Sequence, residues 1–211
     1  MTENVETFKV ITLGDTGVGK TSIAKRYTLN TFEDDSLSTV GIAFSFKEAK
    51  LKNGAKIRLK LIDTAGQEQY RSIAKSYYKN ADGVLFVFAY DNKKSFEDIE
   101  EWFTKFKENS NKEDIPMILI GNKIDIAPEK KEIKNESIKE LKEKIGIKNF
   151  TDTSAKENIG IENVFNELSE EMYEVNKLRI KRSQSKLKLM NEKTIFKDRN
   201  KNNCVYCKQT I

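Results

Sequence analysis

A glycine-rich stretch at residues 14–21 constrains this chain more than any other feature. It reads Gly-Asp-Thr-Gly-Val-Gly-Lys-Thr and fits the phosphate-binding pattern G-x-x-x-x-G-K-[ST]. The apolar, β-branched residues 8–13 before it are typical of a strand, and residues 22–27 after it can begin a helix. Strand, loop and helix in this order surround an anion with backbone N–H groups and a helix N-terminus. A plain glycine turn between a strand and a helix would have the same pattern. Other motifs are therefore needed to distinguish such a turn from a phosphate-binding loop.

The loop predicts a distinct role for each kind of residue in it. Gly17 and Gly19 have no Cβ, so their N–H groups can turn inward around a phosphate. Lys20 can reach the β- and γ-phosphates of a nucleotide, and the Thr21 hydroxyl suits Mg²⁺. The candidate phosphate-binding residues here are Asp15, Thr16, Gly17, Val18, Gly19, Lys20, Thr21 and Ser22.

Composition removes several classes of function. The 211 residues contain no histidine, so Ser-His-Asp catalysis and imidazole metal sites are excluded. The two cysteines, Cys204 and Cys207, cannot form a disulfide framework, and a reducing, cytoplasmic setting is expected. No apolar run suggests a membrane span, and the acidic, polar N-terminus is not typical of a signal peptide.

The net charge of +5 hides an asymmetry. Residues 176–211 hold 11 Lys and Arg against 2 Asp and Glu, a net charge of +9, whereas residues 1–175 carry −4. A mildly acidic body with a basic tail does not favour nucleic-acid binding. It favours an unstructured arm that can meet an anionic membrane surface, or simply a solvated lysine-rich tail.

Hydrophobic patterning predicts an α/β fold. Apolar residues alternate over 42–47 and 57–61 around Asn53-Gly54, a hairpin signal, while 84–89 and 115–120 are continuously apolar, as in central parallel strands. Helices are expected at about 94–108 and 134–145, a short strand near Phe150, and a last helix with an apolar stripe from Ile161 to Val175. We therefore expect a doubly wound, mostly parallel six-stranded sheet with one antiparallel edge strand.

Further polar motifs follow predicted strands. Asp63 comes at the end of one strand and is expected to hold Mg²⁺ beside the loop. Gly66 can bring an N–H to a γ-phosphate, and Gln67 could orient an attacking water. With Lys20, Gln67 is the candidate catalytic residue.

The remaining motifs point to a purine. In Asn122-Lys123-Ile124-Asp125, the Asp125 carboxylate can accept hydrogen bonds from the guanine N1–H and amino group, a donor pair that adenine lacks. Thr153-Ser154-Ala155-Lys156 can close over the base. The candidate guanine-binding residues in these motifs are Asn122, Lys123, Asp125, Ser154, Ala155 and Lys156.

Together these motifs resemble the full set of the Ras-superfamily small GTPases, over residues 8–176. Residues 38–44, residues 70–73 with Tyr77-Tyr78, and Tyr90-Asp91 resemble the Rab branch. The resemblance implies that Thr39 completes the Mg²⁺ ligands of Thr21 and Asp63, and that Phe32 packs on guanine. It implies an exchange factor, a GTPase-activating protein and effectors, which bind through residues 30–46 and 63–78.

Three departures from the Rab pattern concern partners and membrane attachment. Ala43 replaces an acidic residue and Ile62 replaces a tryptophan of the aromatic patch that partners recognise. Cys204 and Cys207 are neither adjacent nor separated by one residue, and Cys207 is fifth from the end, where a prenylated box needs the fourth position. Lipidation of these two cysteines is a prediction from the basic tail and the resemblance.

The sequence thus predicts an N-terminal extension over 1–7, a GTPase domain over 8–176 and a basic flexible tail over 177–211. We expect a monomeric GDP/GTP switch with slow hydrolysis that cycles onto the cytoplasmic face of an intracellular membrane. A GTP-loaded adaptor with negligible hydrolysis is the alternative. A P-loop kinase or ATPase would have no use for Asn122-Lys123-Ile124-Asp125.

Overall fold

The computed structural model of the chain describes residues 5–33, 41–64 and 76–202, and only the backbone of residues 186–202. By its internal packing the chain divides into two units, Met1–Met172 and Tyr173–Ile211.

Six strands in the described residues form one sheet. They are β1 (Glu6–Leu13), β2 (Ile42–Lys50), β3 (Lys56–Thr64), β4 (Gly83–Ala89), β5 (Met117–Asn122) and β6 (Asn149–Asp152). Their order in the sheet is β2-β3-β1-β4-β5-β6. β2 runs antiparallel to β3, and the other neighbours are parallel. The predicted mixed six-stranded sheet with one antiparallel edge strand is confirmed.

In the described residues, the helices of five or more residues follow the predicted pattern with two changes, the division of one helix and the extension of the last. These helices are α1 (Lys20–Leu29), α2 (Lys93–Glu97), α3 (Ile99–Asn109), α4 (Asn135–Ile145) and α5 (Ile161–Asn202). The single helix expected at 94–108 is divided at Asp98 into α2 and α3. Asn92 caps α2, because its side chain accepts a hydrogen bond from the Ser95 N–H at 3.0 Å.

The core lies on both faces of β4, whose seven residues are all buried. On one face, α3 and α4 pack Trp102, Phe106 and Ile138 into the same cluster as Phe86 and Phe88. On the other face α5 lies close to Gly83, where an added Cβ would be 3.1 Å from Leu168. Continuous apolar strands are therefore explained by helices on both sides.

The β2–β3 hairpin is confirmed. In β3 the alternating Ile57, Leu59 and Leu61 are buried, but the two phenylalanines of β2 are not. Gly54 adopts φ +87°, and the Leu51 N–H donates to the Ala55 carbonyl at 2.9 Å, which gives a three-residue turn. Phe44 and Phe46 are 45% and 57% exposed. The alternation thus reflects strand geometry, while β2, as an edge strand, presents these rings to solvent.

Helix α5 begins with the expected apolar stripe, since Ile161, Val164, Phe165, Leu168 and Met172 are all buried. It then continues to Asn202, whereas we expected an unstructured tail from residue 177. The physical reason is composition: residues 161–202 contain neither Gly nor Pro and are rich in Lys, Glu and Leu, which favour helix. None of the helices in the described part of the chain is long and apolar enough to cross a membrane.

Candidate functional site

The motif residues meet at the edge of the sheet where the parallel strands have their carboxyl ends. The glycine loop follows β1, Asp63 lies near the end of β3, Asn122 ends β5 and Thr153 follows β6. Open α/β sheets bind ligands at this edge. The structure thus brings together residues that are far apart in the sequence.

Two glycines let the loop lie close against the sheet. Gly14 has φ +142°, and a Cβ there would be 2.1 Å from the Val87 carbonyl oxygen. Gly19 has φ +97°, and a Cβ there would be 2.2 Å from the Asn122 Nδ2 atom. Any larger side chain would push the loop away from β4 and β5. Thr16 and Gly17 remain exposed at the crest of the loop.

Lys20 lies under this loop and is only 5% exposed. Its Nζ donates to the carbonyl oxygens of Gly14 at 2.9 Å and Asp15 at 2.7 Å. Burial lowers the pKa of Lys20 to about 8, against the opposing charges of Asp63 and Asp15. A poorly solvated cation held inside a loop of N–H groups favours an anionic ligand.

The buried Asp63 and the half-buried Thr21 form a pair beside Lys20. The Thr21 hydroxyl donates to Asp63 Oδ2 at 2.6 Å, and Asp63 is 3% exposed. Burial raises the pKa of Asp63, while the Thr21 hydrogen bond and the Lys20 charge oppose that shift. Thr12, which the sequence analysis did not name, also donates to Asp63, through Oγ1 at 3.4 Å.

This pair fits Mg²⁺ by its chemistry. A carboxylate and a hydroxyl are hard oxygen donors, and Mg²⁺ in nucleotide sites takes few protein ligands besides phosphates and water. The residues described contain no group of three or more His, Cys, Asp or Glu side chains that could hold a metal ion.

Asn122 is 2% exposed and joins two loops rather than facing solvent. Its Nδ2 donates to the Val18 carbonyl of the glycine loop at 2.8 Å. Its Oδ1 accepts from the Thr153 hydroxyl at 3.0 Å and the Ala155 N–H at 3.4 Å. The phosphate-binding loop and the 153–156 loop are therefore one connected unit.

The two charged residues after Asn122 lie at the surface. Lys123 has φ +65°, and its Nζ pairs with Asp91 Oδ2 at 2.9 Å. Asp125 is exposed, where its carboxylate can meet a ligand. In the neighbouring loop, Ser154 and Ala155 are buried while Lys156 is exposed.

Asp15 uses its main chain and its side chain differently. Its carbonyl accepts from Lys20, while its Oδ1 accepts the indole N–H of Trp102 in α3 at 2.8 Å. Burial raises the Asp15 pKa, and the neighbouring Asp98 carboxyl raises it further against the lowering hydrogen bond from Trp102. The Asp15 side chain thus anchors the loop to α3.

Arg26 and Trp102 are the other site residues that sequence reasoning missed. The Arg26 Nε donates to the Ala155 carbonyl at 2.8 Å, across 129 positions of sequence, and its guanidinium lies 5.9 Å from the centre of the half-buried Phe32 ring. Trp102 is the one tryptophan of the chain, which is the only signal that could have drawn attention to it.

For several predicted site residues the structure gives no contacts that bear on their roles. Thr39, Gly66, Gln67, Cys204 and Cys207 lie outside the described residues. Ser22 is half-buried in the first turn of α1. The roles assigned to all of these residues stay predictions.

Comparison with known proteins gives the family. The model of the Ras family matches residues 9–174. Ras-related protein Rab-11B of Dictyostelium discoideum is 46% identical over 118 residues, 56% of this chain and 53% of that protein. Ras-related protein Rab-10 of Diplobatis ommata is 40% identical over 129 residues, 61% of this chain and 64% of that protein.

A third relative is Ras-related protein Rab-13 of Canis lupus familiaris, 38% identical over 132 residues, 63% of this chain and 64% of that protein. The matched stretch spans less than two thirds of each of these three relatives. Because the family model matches most of the chain, the chain belongs to the Ras family, and these three relatives are all named as Ras-related Rab proteins.

Proposed function

We propose that this protein binds GTP and GDP with Mg²⁺, hydrolyses GTP slowly and acts as a GDP/GTP switch in membrane trafficking. The observation that supports this most is the Asn122 side chain, which bonds to both Val18 and Thr153. A phosphate-binding loop and a base-binding loop connected in this way favour a nucleotide as the ligand of both.

At the phosphate end, the chain supplies positive charge and oxygen ligands. Lys20 and the loop N–H groups stabilise charge on the transferring phosphoryl group. Thr21, Asp63 and Thr39 are the residues that would hold Mg²⁺, which when bound supplies further charge neutralisation at the phosphates. Gln67 orients the attacking water, and Gly66 contacts the γ-phosphate.

At the base end, Asp125 selects guanine. Its exposed carboxylate accepts from the two donors on the guanine edge, and adenine does not offer this pair. Phe32, Lys123 and the 154–156 loop enclose the ring. The experiment is a competition of GTP and ATP for the purified chain, in which we expect GTP to be strongly preferred.

Exchanging the Asp125 carboxylate for an amide tests this assignment. Asp125→Asn places an N–H donor against the guanine donors, so we expect its GTP affinity to fall by at least ~10-fold while weak ATP binding is unchanged. Asp114→Asn, an exposed site before β5, is the matched control and should bind like the wild type. Retained guanine preference in Asp125→Asn would refute the base assignment.

Hydrolysis separates the switch from an adaptor. We expect slow phosphate release by the chain alone, rising by roughly 10³–10⁵-fold when a partner supplies an arginine. No phosphate release in either condition would favour the GTP-loaded adaptor instead.

The switch communicates through residues 30–46 and 63–78, to which exchange factors, activating proteins and effectors bind. The exposed Phe44 and Phe46 rings support this, and Tyr77 lies 5.6 Å from Phe44 by ring centres. Ile62 is 1% exposed, so the usual tryptophan of this patch is replaced by a core residue. Partner choice therefore differs from that of Rab proteins with the full aromatic set.

The basic tail brings the protein to an anionic membrane surface if Cys204 or Cys207 carries a lipid. One chain anchors only marginally, so two lipids, or one with the +9 segment, are needed. The intact mass of the protein from its native cell tests this directly.

A further inference from the structure

Arg26, in the last turns of α1, contacts three separate parts of the candidate base site. Its Nε donates to the Ala155 carbonyl at 2.8 Å and its Nη2 to the Lys156 carbonyl at 3.0 Å. Its Nη1 donates to the Asn30 carbonyl at 3.0 Å, at the C-terminus of α1. The same guanidinium lies 5.9 Å from the centre of the Phe32 ring, within the range of a cation–π contact.

The geometry of these bonds requires arginine. Nε–H and one Nη–H lie on the same edge of the planar guanidinium, and here they donate to two consecutive carbonyls, Ala155 and Lys156. A lysine ammonium carries all its donors on one nitrogen, so it does not offer two parallel N–H groups on separate atoms. Hydrogen bonds from a charged donor are also stronger than those between neutral groups.

These bonds fix the direction of the N–H groups in the loop. In a planar trans peptide, the C=O of one residue and the N–H of the next point in opposite directions. Holding the Ala155 carbonyl toward α1 therefore turns the Lys156 N–H away from α1. From the other side, the Asn122 Oδ1 accepts the Ala155 N–H at 3.4 Å. The loop is held between Arg26 and Asn122.

We propose that Arg26 is a positioning residue that holds the 155–156 loop and Phe32 in the geometry that retains the guanine base, and so sets how long a nucleotide stays bound. This rests on the proposed function. Arg26 acts on the base and not on the phosphates, because six residues of helix place it about 9 Å along α1 from Lys20. Its removal should speed release without slowing the hydrolysis of GTP already bound.

The test measures release of a fluorescently labelled GDP from the full-length chain, chased with excess unlabelled GDP. We expect Arg26→Met to release at least ~10-fold faster than the wild type, because it loses several charge-assisted hydrogen bonds. Arg26→Lys, which can reach one carbonyl, should lie between the two. Single-turnover hydrolysis of prebound GTP should be unchanged in both variants.

Lys25→Met is the matched control, one residue away on the same helix. Lys25 pairs with Glu33 at 2.8 Å, and both side chains are exposed to solvent. A surface ion pair of this kind contributes little, so release should stay within about 2-fold of the wild type. If Arg26→Met fails to fold, the GDP release rates of Arg26→Lys and Lys25→Met still test the proposal. We then expect Arg26→Lys to release GDP faster than Lys25→Met.

The outcomes separate this inference from the proposed function. A wild-type chain that binds ATP as well as GTP overturns both. A guanine-specific wild type whose Arg26 variants release GDP as slowly as Lys25→Met overturns the inference alone. So does an Arg26→Met variant that hydrolyses prebound GTP more slowly, because Arg26 would then act at the phosphates.

Discussion

The candidate phosphate half of the site, around Lys20 and Asp63, and its candidate base half, around Asn122 and Asp125, are built by different means. In the phosphate half, the ionisable side chains Lys20 and Asp63 are 5% and 3% exposed and lie among loop carbonyls and hydroxyls. In the base half, the charged Asp125 and Lys156 are exposed, and the buried framework of Asn122, Thr153 and Ala155 is neutral.

This difference indicates what each half contributes to nucleotide binding. Buried charges have lost most of their hydration and gain strongly from an opposite charge, so the phosphate half suits an anion. A neutral framework contributes geometry, because its hydrogen bonds fix backbone directions at small electrostatic cost. Binding strength is thus expected to come mainly from the phosphates, and selectivity and retention from the base.

The largest effect should follow from removing the buried cation. Lys20→Met removes the buried positive charge that lies near Asp63 and would face the bound phosphates, so GDP affinity should fall by roughly 10²–10³-fold. Fluorescence titration with labelled GDP measures it, with the exposed Lys93→Met as the control. Because guanosine carries no phosphate, its weak binding should not change. An equal loss with guanosine would contradict the division into two halves.

An intermediate effect is expected where the halves join. Asn122→Ala leaves the buried Val18 carbonyl and Thr153 hydroxyl without this partner, and should lower the free energy of unfolding by about 1–3 kcal/mol. Urea unfolding at saturating GDP measures it. Asn109→Ala is the control. It removes an amide that donates to the Lys105 carbonyl at 2.7 Å within the same helix, so we expect a smaller decrease in the free energy of unfolding. Equal changes would argue against a special role of Asn122.

The smallest effect concerns Asp15, whose side chain anchors the glycine loop to α3 through Trp102. Burial and the facing Asp98 carboxyl raise the pKa of Asp15, while Trp102 and Lys94 oppose them. The folded protein thus takes up a proton on Asp15 at a higher pH than the unfolded chain, so this group's contribution to stability falls as pH rises through the window between the two pKa values.

Trp102 reports this titration, because it is the only tryptophan and bonds to Asp15. Its fluorescence should change with a midpoint above the ordinary aspartate pKa. Asp98→Asn removes the facing charge, so the midpoint should move to lower pH. A midpoint that does not move would mean that Asp98 does not act on Asp15.

Much of the fold could be predicted because strands and turns have local signatures. The continuous apolar run at 84–89 predicted a central strand, and β4 is buried throughout. In the hairpin, Gly54 takes the positive φ that the turn requires. The division at Asp98 and the extension of α5 to Asn202 could not be predicted as well, since a periodic pattern fixes where a helix ends only weakly.

The candidate site, too, could be predicted only in part from the sequence. Gly14 and Lys20 come after β1, while Asp63 and Asn122 lie at the carboxyl ends of β3 and β5. Their approach at one edge of the sheet could therefore be inferred from right-handed crossovers alone. Their individual partners could not. Asn122 forms its bonds to Val18 and Thr153 rather than standing open to a ligand.

By itself, the sequence determined the α/β architecture, the glycine loop and the order of the polar motifs, because these depend on residue type and short spacing. Only the tertiary structure decided that Arg26 holds the 155–156 loop across 129 positions and that Trp102 anchors Asp15 across 87. It also decided that Phe44 and Phe46 face solvent. The physical reason is that a hydrogen bond or an exposed face depends on which element the chain brings alongside, and local pattern does not encode that choice.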